Sequence, residues 1–174
     1  MLHALQTSFA VVLGAGIMLL AGCSSLPTTS HIPAVTGFDA ARYMGKWYEI
    51  ARLPNRFERG MSKCTAEYSL RDDGKVQVVN SGLKDGKPKS ASAVAIFAGE
   101  PSTGELRVSF FRPFYGSYRI IHLEPDYSVA VVTANTANYY WLLARTPTLP
   151  AADLERYLQQ AAEWGFARDK IEFP

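Results

Sequence analysis

Residues 38–52 read FDAARYMGKWYEIAR, and this stretch carries more information about the fold than any other part of the chain. Gly45 allows the backbone to turn without a Cβ clash, because glycine adopts backbone angles that other residues avoid. Trp47 then supplies a large apolar side chain at the point where a strand begins. The tripeptide Gly-x-Trp occurs by chance in many chains, so its meaning depends on the sequence around it.

Two other segments support this interpretation of residues 38–52. The sequence NRFERG at residues 55–60 follows directly, and YYWLLARTP at residues 139–147 comes near the end of the chain. In this order, residues 38–174 resemble the lipocalin family, in its bacterial and apolipoprotein D-like branch. The resemblance implies a short helical turn before Gly45, a closed barrel with its first mouth loop at 55–60, and a last strand that ends at Arg145.

Alternating apolar and polar residues recur in short segments that end at turn residues, such as Asp72–Gly74 and Asp85-Gly86. We therefore expect an all-β fold, an eight-stranded up-and-down antiparallel β-barrel, in which short hairpins join neighbouring strands and closure removes the sheet edges. An eight-stranded barrel leaves room for about one small ligand. The predicted strands are 47–53, 63–70, 75–84, 90–98, 105–111, 117–123, 128–133 and 139–145.

The period of the sequence changes after Pro150. Apolar residues then recur at spacings of three and four, which predicts a helix, and Gly165 marks its end. The residues with this spacing are Leu154, Tyr157, Leu158, Ala161 and Ala162. The resemblance implies that this C-terminal α-helix packs on the outside of the barrel, and we expect Ile171–Phe173 to add a short final strand.

Residues 1–22 are predicted to be a bacterial lipoprotein signal peptide. Phe9–Leu20 is mostly apolar and too short to span a bilayer, which is typical of a signal sequence. It leads into LAGC at residues 20–23, the pattern of a lipoprotein signal. The Cys23 thiol is expected to receive diacylglycerol, and the new amino terminus an acyl chain such as palmitate.

The sequence after the signal divides into two parts. Residues 23–37 are rich in serine and threonine, and we expect them to form a lipidated flexible tether. Residues 38–174 form the predicted barrel domain with its C-terminal helix. Several acyl chains on one residue give stable anchoring, so the expected location is the periplasmic face of the bacterial outer membrane.

Cys64 is the second of two cysteines in the chain. Lipidation would consume Cys23, so Cys64 is left without a disulfide partner. It shares the apolar face of its predicted strand with Ala66, Tyr68 and Leu70. We therefore interpret Cys64 as a small buried side chain rather than a reactive thiol.

The composition and motifs of the sequence favour neither an enzyme nor a nucleic-acid-binding protein. The net charge is +2, and no basic stretch with interleaved aromatic residues is present, so we expect no nucleic-acid partner. His122 is the only histidine of the barrel domain, which makes a metal site or a catalytic triad improbable. The carboxylates are scattered, and no phosphate-binding loop is present. We predict no catalytic residue, no metal and no cofactor.

Aromatic residues concentrate between Phe110 and Tyr118, where the sequence reads FFRPFYGSY. This segment resembles its counterpart in bacterial lipocalins, whose barrel cavity takes up a fatty acyl chain. By that resemblance Tyr115 and Trp141 are the first candidates for contacting a ligand, followed by Tyr118 and Phe110. A purely structural role is the alternative for each, because closed barrels fill with apolar and aromatic side chains.

Four cations bracket the predicted first loop, with Glu58 as the only acid among them. We expect two of them, Arg56 and Arg59, to attract an anionic headgroup, either of a bound lipid or of the membrane surface. The alternative is a solvated loop with scattered charge. The four cations are Arg52, Arg56, Arg59 and Lys63.

Gly45, Trp47 and Arg145 are assigned to structure. The resemblance implies that Trp47 and Arg145 meet at the closed end of the barrel, where the guanidinium stacks on the indole and contributes about 1–2 kcal/mol. The family's middle motif, a Thr-Asp pair, is matched only in part at residues 133–139. That segment keeps Thr133 and Tyr139 but lacks the aspartate.

The sequence thus predicts a membrane-anchored protein that binds, and transports or stores, fatty acids or lysophospholipids. One alternative is a structural or interaction lipoprotein of the envelope, with a barrel filled by its own side chains. Another is an isomerase-type enzyme on the same scaffold. The sequence leaves open whether the domain forms a homodimer.

Overall fold

The computed structural model describes residues 28–174, which form a closed barrel of eight antiparallel strands in sequence order. The strands are β1 Gly45–Arg52, β2 Met61–Leu70, β3 Val76–Lys84, β4 Lys87–Phe97, β5 Glu105–Phe111, β6 Phe114–Leu123, β7 Val129–Thr133 and β8 Tyr140–Ala144. Each strand pairs with the next, and β8 returns to β1, with Glu49 opposite Leu143. The predicted all-β barrel is therefore confirmed.

Helices flank the barrel in sequence. Helix α1 spans Ala40–Tyr43, α2 spans Ala151–Glu163, and a 3-10 helix spans Arg168–Lys170. Helix α2 packs on the outside of the barrel through Tyr157 and Ala161, against outward-facing residues of β7 and β8. The predicted external helix is confirmed. No helix within residues 28–174 is long and apolar enough to cross a bilayer.

The two ends of the barrel are covered differently. Helix α1 and the connections at 71–75, 98–104 and 124–128 lie at one end, here called the closed end. The connections at 53–60, 85–86, 112–113 and 134–139 lie at the other, here called the open end.

Residues 28–37 run along the outside of the barrel from the open end to the closed end. Thr28 pairs with Thr136 at the open end, and Thr36 pairs with Thr103 at the closed end. The predicted final strand is reduced to a single bridge, which joins Glu172 to Arg52.

The structure corrects the predicted tether. Thr29 and Ile32 are buried against the barrel, and the Arg119 guanidinium on β6 donates hydrogen bonds to their carbonyl oxygens at 3.0 and 2.6 Å. The predicted flexible tether of residues 23–37 is therefore wrong for residues 28–37, because tertiary contacts hold that part. Residues 23–27 with Cys23, and the predicted signal peptide at 1–22, lie outside the described residues.

Candidate functional site

A tryptophan and an arginine seal the closed end. Trp47 is fully buried, and its indole Nε1 donates to the carbonyl oxygen of Tyr43 at 2.9 Å. The Arg145 Cζ lies 3.9 Å from the centre of the Trp47 ring, so the predicted stacking is present. Gly45 has a φ of +90°, and a Cβ there would lie 3.4 Å from Nη1 of Arg145. The backbone angle favours glycine, whereas the contact with Arg145 would be an ordinary one.

The Arg145 side chain also satisfies main-chain groups at the closed end. The orphan carbonyls at the end of a short helix need donors, and the guanidinium supplies them. Its nitrogens donate to the carbonyl oxygens of Lys46 (2.9 Å), Arg42 (2.9 Å), Tyr43 (3.1 Å) and Tyr127 (3.3 Å). One side chain thus joins α1, the start of β1 and the turn after β6.

The segment that partly matches the middle motif, residues 133–139, lies at the open end of the barrel. Thr133 ends β7 at the open end, where its hydroxyl donates to the carbonyl oxygen of Tyr139 at 2.6 Å. The closed end instead uses Tyr127, whose hydroxyl accepts from the Asp39 amide at 2.8 Å. Arg42 lies over the same ring, 4.1 Å from its centre. The turn Pro125-Asp126 before Tyr127 was the sequence signal for this contact.

The half of the barrel interior nearer the closed end, here called the base, is packed. Tyr118 brings its hydroxyl within 2.8 Å of the Tyr43 hydroxyl and 2.9 Å of the Tyr68 hydroxyl. Burial raises the pKa of Tyr68 to about 12, so these hydroxyls stay neutral and bond to one another. The cavity beside them has a volume of only about 10 Å³, roughly the space of one water.

The half of the interior nearer the open end, here called the upper lumen, is reached by solvent. Ala66, Ala91 and Gly116 face inward there by register with other inward positions, and Ala91 and Gly116 are nevertheless solvent-exposed. The ladder between β4 and β5 covers only Val94–Phe97 of β4, so the wall is incomplete above it. The barrel interior is therefore packed at its base and reached by solvent in the upper lumen.

A buried arginine lies between the upper lumen and the first loop. Arg52 is 2% exposed and faces Trp141 across the β1–β8 ladder. A register shift between Glu49 and Ala51 turns Arg52 inward. Its guanidinium donates to Glu49 Oε1 (2.8 Å), Glu172 Oε1 (2.7 Å), Cys64 Sγ (3.4 Å) and the carbonyl oxygens of Glu58 (3.1 Å) and Met61 (2.9 Å).

The acid and the thiol beside Arg52 both favour their neutral forms. Burial, followed by the charge of Glu58, raises the pKa of Glu49 to about 8. Burial, followed by the charge of Glu49, raises the pKa of Cys64 to about 11. Because a thiol reacts as its thiolate, Cys64 is a poor nucleophile at neutral pH.

Comparison with known proteins identifies the family. Residues 38–174 match the family described as a lipocalin-like domain. The chain belongs to the lipocalin family.

Several relatives are similar in sequence to this lipocalin over most of its length. The outer membrane lipoprotein Blc of Citrobacter freundii is 44% identical over 155 residues, which cover 88% of each chain. The Blc protein of Escherichia coli K12 is 43% identical over the same length and coverage. Apolipoprotein D of Bos taurus is 36% identical over 129 residues, covering 69% of this chain and 67% of that one.

A solved structure agrees on the fold alone. Insecticyanin from the tobacco hornworm Manduca sexta superposes with a TM-score of 0.65 at 18% identity, covering 82% of each chain. At this identity the likeness reports architecture, which is the barrel with its C-terminal helix.

The lipocalin structure places two of the predicted ligand contacts inside the barrel. Trp141 is partly buried in the upper lumen, and its Nε1 donates to Glu58 Oε2 at 2.9 Å. Its ring stacks on Tyr139, with centres 5.6 Å apart. Tyr118 faces the lumen but its hydroxyl is shared with Tyr43 and Tyr68, so it forms the floor of the open space.

The other predicted ligand contacts lie elsewhere. Tyr115 lies on the outer face of β6, where Arg107 Cζ is 5.3 Å from its ring centre, so the prediction that it contacts a ligand in the lumen is wrong. Phe110 is 42% exposed at the rim. Arg56 and Arg59 are exposed on the first loop, and within residues 28–174 neither side chain forms a hydrogen bond or an ion pair. Arg56 packs over Phe57 at 4.8 Å.

No catalytic constellation is visible inside the described barrel. A register shift after Ile120 turns His122 outward, where its Nε2 is 3.2 Å from Glu124 and its ring packs on Tyr157. Residues 28–174 contain no group of three or more histidine, cysteine or acidic side chains suited to a metal ion. Glu49 and Cys64 lie on the inner face of the barrel, whereas His122 lies on its outer face.

Proposed function

We propose that this lipocalin is an outer-membrane lipoprotein that binds one fatty acid or lysophospholipid and transports or stores it at the periplasmic face. The observation that supports the proposal is the difference between the two halves of the barrel interior. The base is packed around Tyr43, Tyr68 and Tyr118, whereas inward-facing Ala91 and Gly116 at the top stay exposed. An amphipathic lipid fits such a space, since its chain needs apolar walls and its headgroup needs water.

The acyl chain is assigned to the upper lumen. The cavity of about 10 Å³ at the base is too small for a chain of methylenes, so the chain ends above Tyr118. Trp141 supplies an apolar wall at this level, and Val108, which also lines the small cavity at the base, adds to it from below. Each buried methylene contributes about 0.8 kcal/mol, and affinity therefore rises with chain length until the chain reaches the tyrosine layer.

The headgroup is assigned to the exposed cations of the first loop. The Arg52 donors are engaged by Glu49, Glu172, Cys64 and main-chain carbonyls, so Arg52 is committed to the structure. Arg56 and Arg59 remain accessible beside the mouth. Their contribution is small and sensitive to salt, because exposed charges are screened within about 10 Å at ~0.1 M salt.

The location rests on the amino terminus and on the relatives. Cys23 follows Leu20-Ala21-Gly22, as in a lipoprotein signal, and the Blc relatives are named outer membrane lipoproteins. Acylation of Cys23 would hold the barrel beside its supply of lipid.

The test is titration of the purified protein with fatty acids and lysophospholipids of increasing chain length, followed by tryptophan fluorescence. We expect saturable binding with one site per chain, affinity that rises and then levels off, and a loss of most of the fluorescence change in Trp141→Phe. Absence of saturable binding at micromolar lipid would favour the alternative of a structural or interaction lipoprotein, which the packed base supports. Saturable binding without chain-length dependence would place the site on the outer surface.

A further inference from the structure

Exposed aromatic side chains cluster at the open end of the barrel. Phe57 on the first loop is 64% exposed, and Phe110, Phe111 and Phe114 on the β5–β6 hairpin are 42%, 81% and 77% exposed. Phe173 is 58% exposed and follows Glu172, which pairs with the last residue of β1. Soluble surfaces rarely gather so much apolar area at one place without a binding partner.

Exposed cations share the open end with these phenylalanines. The acids there are Asp85 in the β3–β4 turn, Glu58, whose carboxylate is bonded to Asn55 and Trp141, and Glu172, whose Oε1 is paired with Arg52 at 2.7 Å. An apolar surface ringed by cations matches a bilayer with anionic phospholipids, where aromatic rings enter the interface and cations meet phosphates. The exposed cations are Arg56, Arg59, Lys63, Lys84, Lys87, Lys89 and Arg112.

The chain also leaves the described structure at this end. Thr28 pairs with Thr136, and the Thr29 amide donates to the carbonyl oxygen of Asn135 at 3.3 Å, both in the open-end loop 134–139. Cys23 precedes Thr28 by five residues, and five residues span at most about 18 Å. A lipid on Cys23 therefore keeps the open end within about 18 Å of the membrane, whether the barrel stands mouth-down or lies on its side.

We propose that the open end is a membrane-docking surface that seats the barrel mouth-down on a phospholipid bilayer containing anionic lipid. Phe57, Phe111 and Phe114 enter the interface, and the surrounding cations bind phosphates. The mouth then opens against the bilayer, so that a lipid passes between membrane and lumen without crossing bulk water. The inference rests on the proposed lipid anchor, and it adds an orientation that the anchor alone does not fix.

Charge argues against a second copy of the chain as the occupant. A symmetric dimer through the open ends would place each cation ring against its own copy. Like charges facing one another weaken such an interface, whereas an anionic bilayer neutralises them.

The test compares a label at each end of the acylated, membrane-bound protein. Asn138→Cys marks the open end and Asp72→Cys the closed end, and both positions are exposed. Each variant is labelled with a fluorophore and reconstituted into phosphatidylethanolamine–phosphatidylglycerol vesicles that contain brominated lipid. Vesicle flotation first establishes that the protein is anchored, so a failed anchor is distinguishable from a wrong orientation.

We expect at least several-fold stronger quenching of the label at residue 138 than at residue 72. Phe111→Ser combined with Phe114→Ser should lower the quenching at residue 138 by severalfold while flotation persists. The matched control is Leu70→Ser, which removes an exposed apolar side chain at the closed end and should change nothing. Equal quenching of the two labels in vesicle-bound protein would overturn the proposal. Burial of the label at residue 138 in detergent without vesicles would also overturn it, because self-association would then cover the open end.

Discussion

The closed and open ends of this barrel are built from different chemistry. At the closed end Trp47 is fully buried, and Arg145 stacks on it while donating to four main-chain carbonyls. At the open end, Phe111 and Phe114 stay exposed and Arg56 forms no ion pair within residues 28–174. The difference separates two tasks, since partnered groups stabilise the fold whereas exposed ones are free to bind.

The charges of the two ends differ in the same sense. The closed end mixes Asp39, Asp72, Asp73, Glu100, Glu124 and Asp126 with Arg42, Lys46, Arg71, Lys75 and Arg145. Several of these pair locally, as Asp73 does with Arg71 and Lys75 at 3.1 and 2.9 Å. The open end has an excess of cations. Substitutions at the closed end should therefore act on stability, and those at the open end on binding.

The largest expected effect is on stability at the closed end. Arg145→Ala removes the stacking on Trp47 and leaves main-chain carbonyls without their donor, so the free energy of unfolding should fall by about 3 kcal/mol. Urea denaturation measures this. The matched control is Arg107→Ala, because Arg107 also lies over an aromatic ring, that of Tyr115, but on the exposed outer face, and its loss should lower stability by less than about 1 kcal/mol. Unchanged stability with collapsed lipid affinity would make Arg145 a ligand contact.

The next effect sharpens the assignment of the upper lumen. Ala91→Trp fills the inward face of β4 above the packed base, so lipid affinity should fall by about tenfold or more, while the free energy of unfolding changes little. Ser92→Trp is the matched control, since Ser92 is the exposed neighbour on the outward face of the same strand. The affinities of both variants are measured by titration with one fatty acid. Equal affinities would show that the ligand does not bind in this part of the lumen.

A pH-dependent effect is expected from Glu49. Its pKa of about 8 in the folded chain exceeds the ordinary value of about 4.3, so the folded state binds this proton more tightly than the unfolded state. This contribution to stability is complete below about pH 4 and is lost as the pH rises through about 8. In Glu49→Gln the loss of stability between pH 5 and pH 8.5 should be smaller than in the wild type by about 1 kcal/mol or more. The free energy of unfolding is measured by urea denaturation at both pH values. If it falls by the same amount in Glu49→Gln as in the wild type, Glu49 is ionised beside Arg52.

The smallest effect concerns the cations of the first loop. Arg56→Gln together with Arg59→Gln should weaken binding of an anionic fatty acid only a few-fold at low salt. The difference from the wild type should shrink as salt is raised, because exposed charges are screened. The neutral methyl ester of the same fatty acid is the control ligand and should bind both proteins alike. A salt-independent loss would indicate that these arginines shape the mouth and do not act through charge.

Local sequence patterns predicted most of the barrel. Alternation and turn pairs such as Asp85-Gly86, which has φ values of +52° and +73°, marked the strands and hairpins to within a few residues. The spacing of Tyr157, Leu158 and Ala161 marked α2. These features depend on residues that are close together in the chain. They are present in the folded molecule because the core forms on the faces that the sequence pattern predicted.

Predictions that depended on a face or a partner were less accurate. A slip of one residue moves every following side chain to the other face of a sheet, and the irregularity between Glu49 and Ala51 turns Arg52 inward although nothing in the local sequence marks it. Tyr115 is a candidate ligand contact by the resemblance of residues 110–118 to bacterial lipocalins, but the register of β6 with β5 places it on the outer face.

The sequence by itself determined the strands, the turns, the external helix and the pairing of Gly45, Trp47 and Arg145, because these follow from local geometry and from a family pattern. The tertiary structure alone decided which polar residues are buried and where the amino-terminal segment goes. Thr29 and Ile32 are held by Arg119, and Arg52 gathers Glu49 and Cys64. Such contacts join residues far apart in the chain, and only strand register and burial select them.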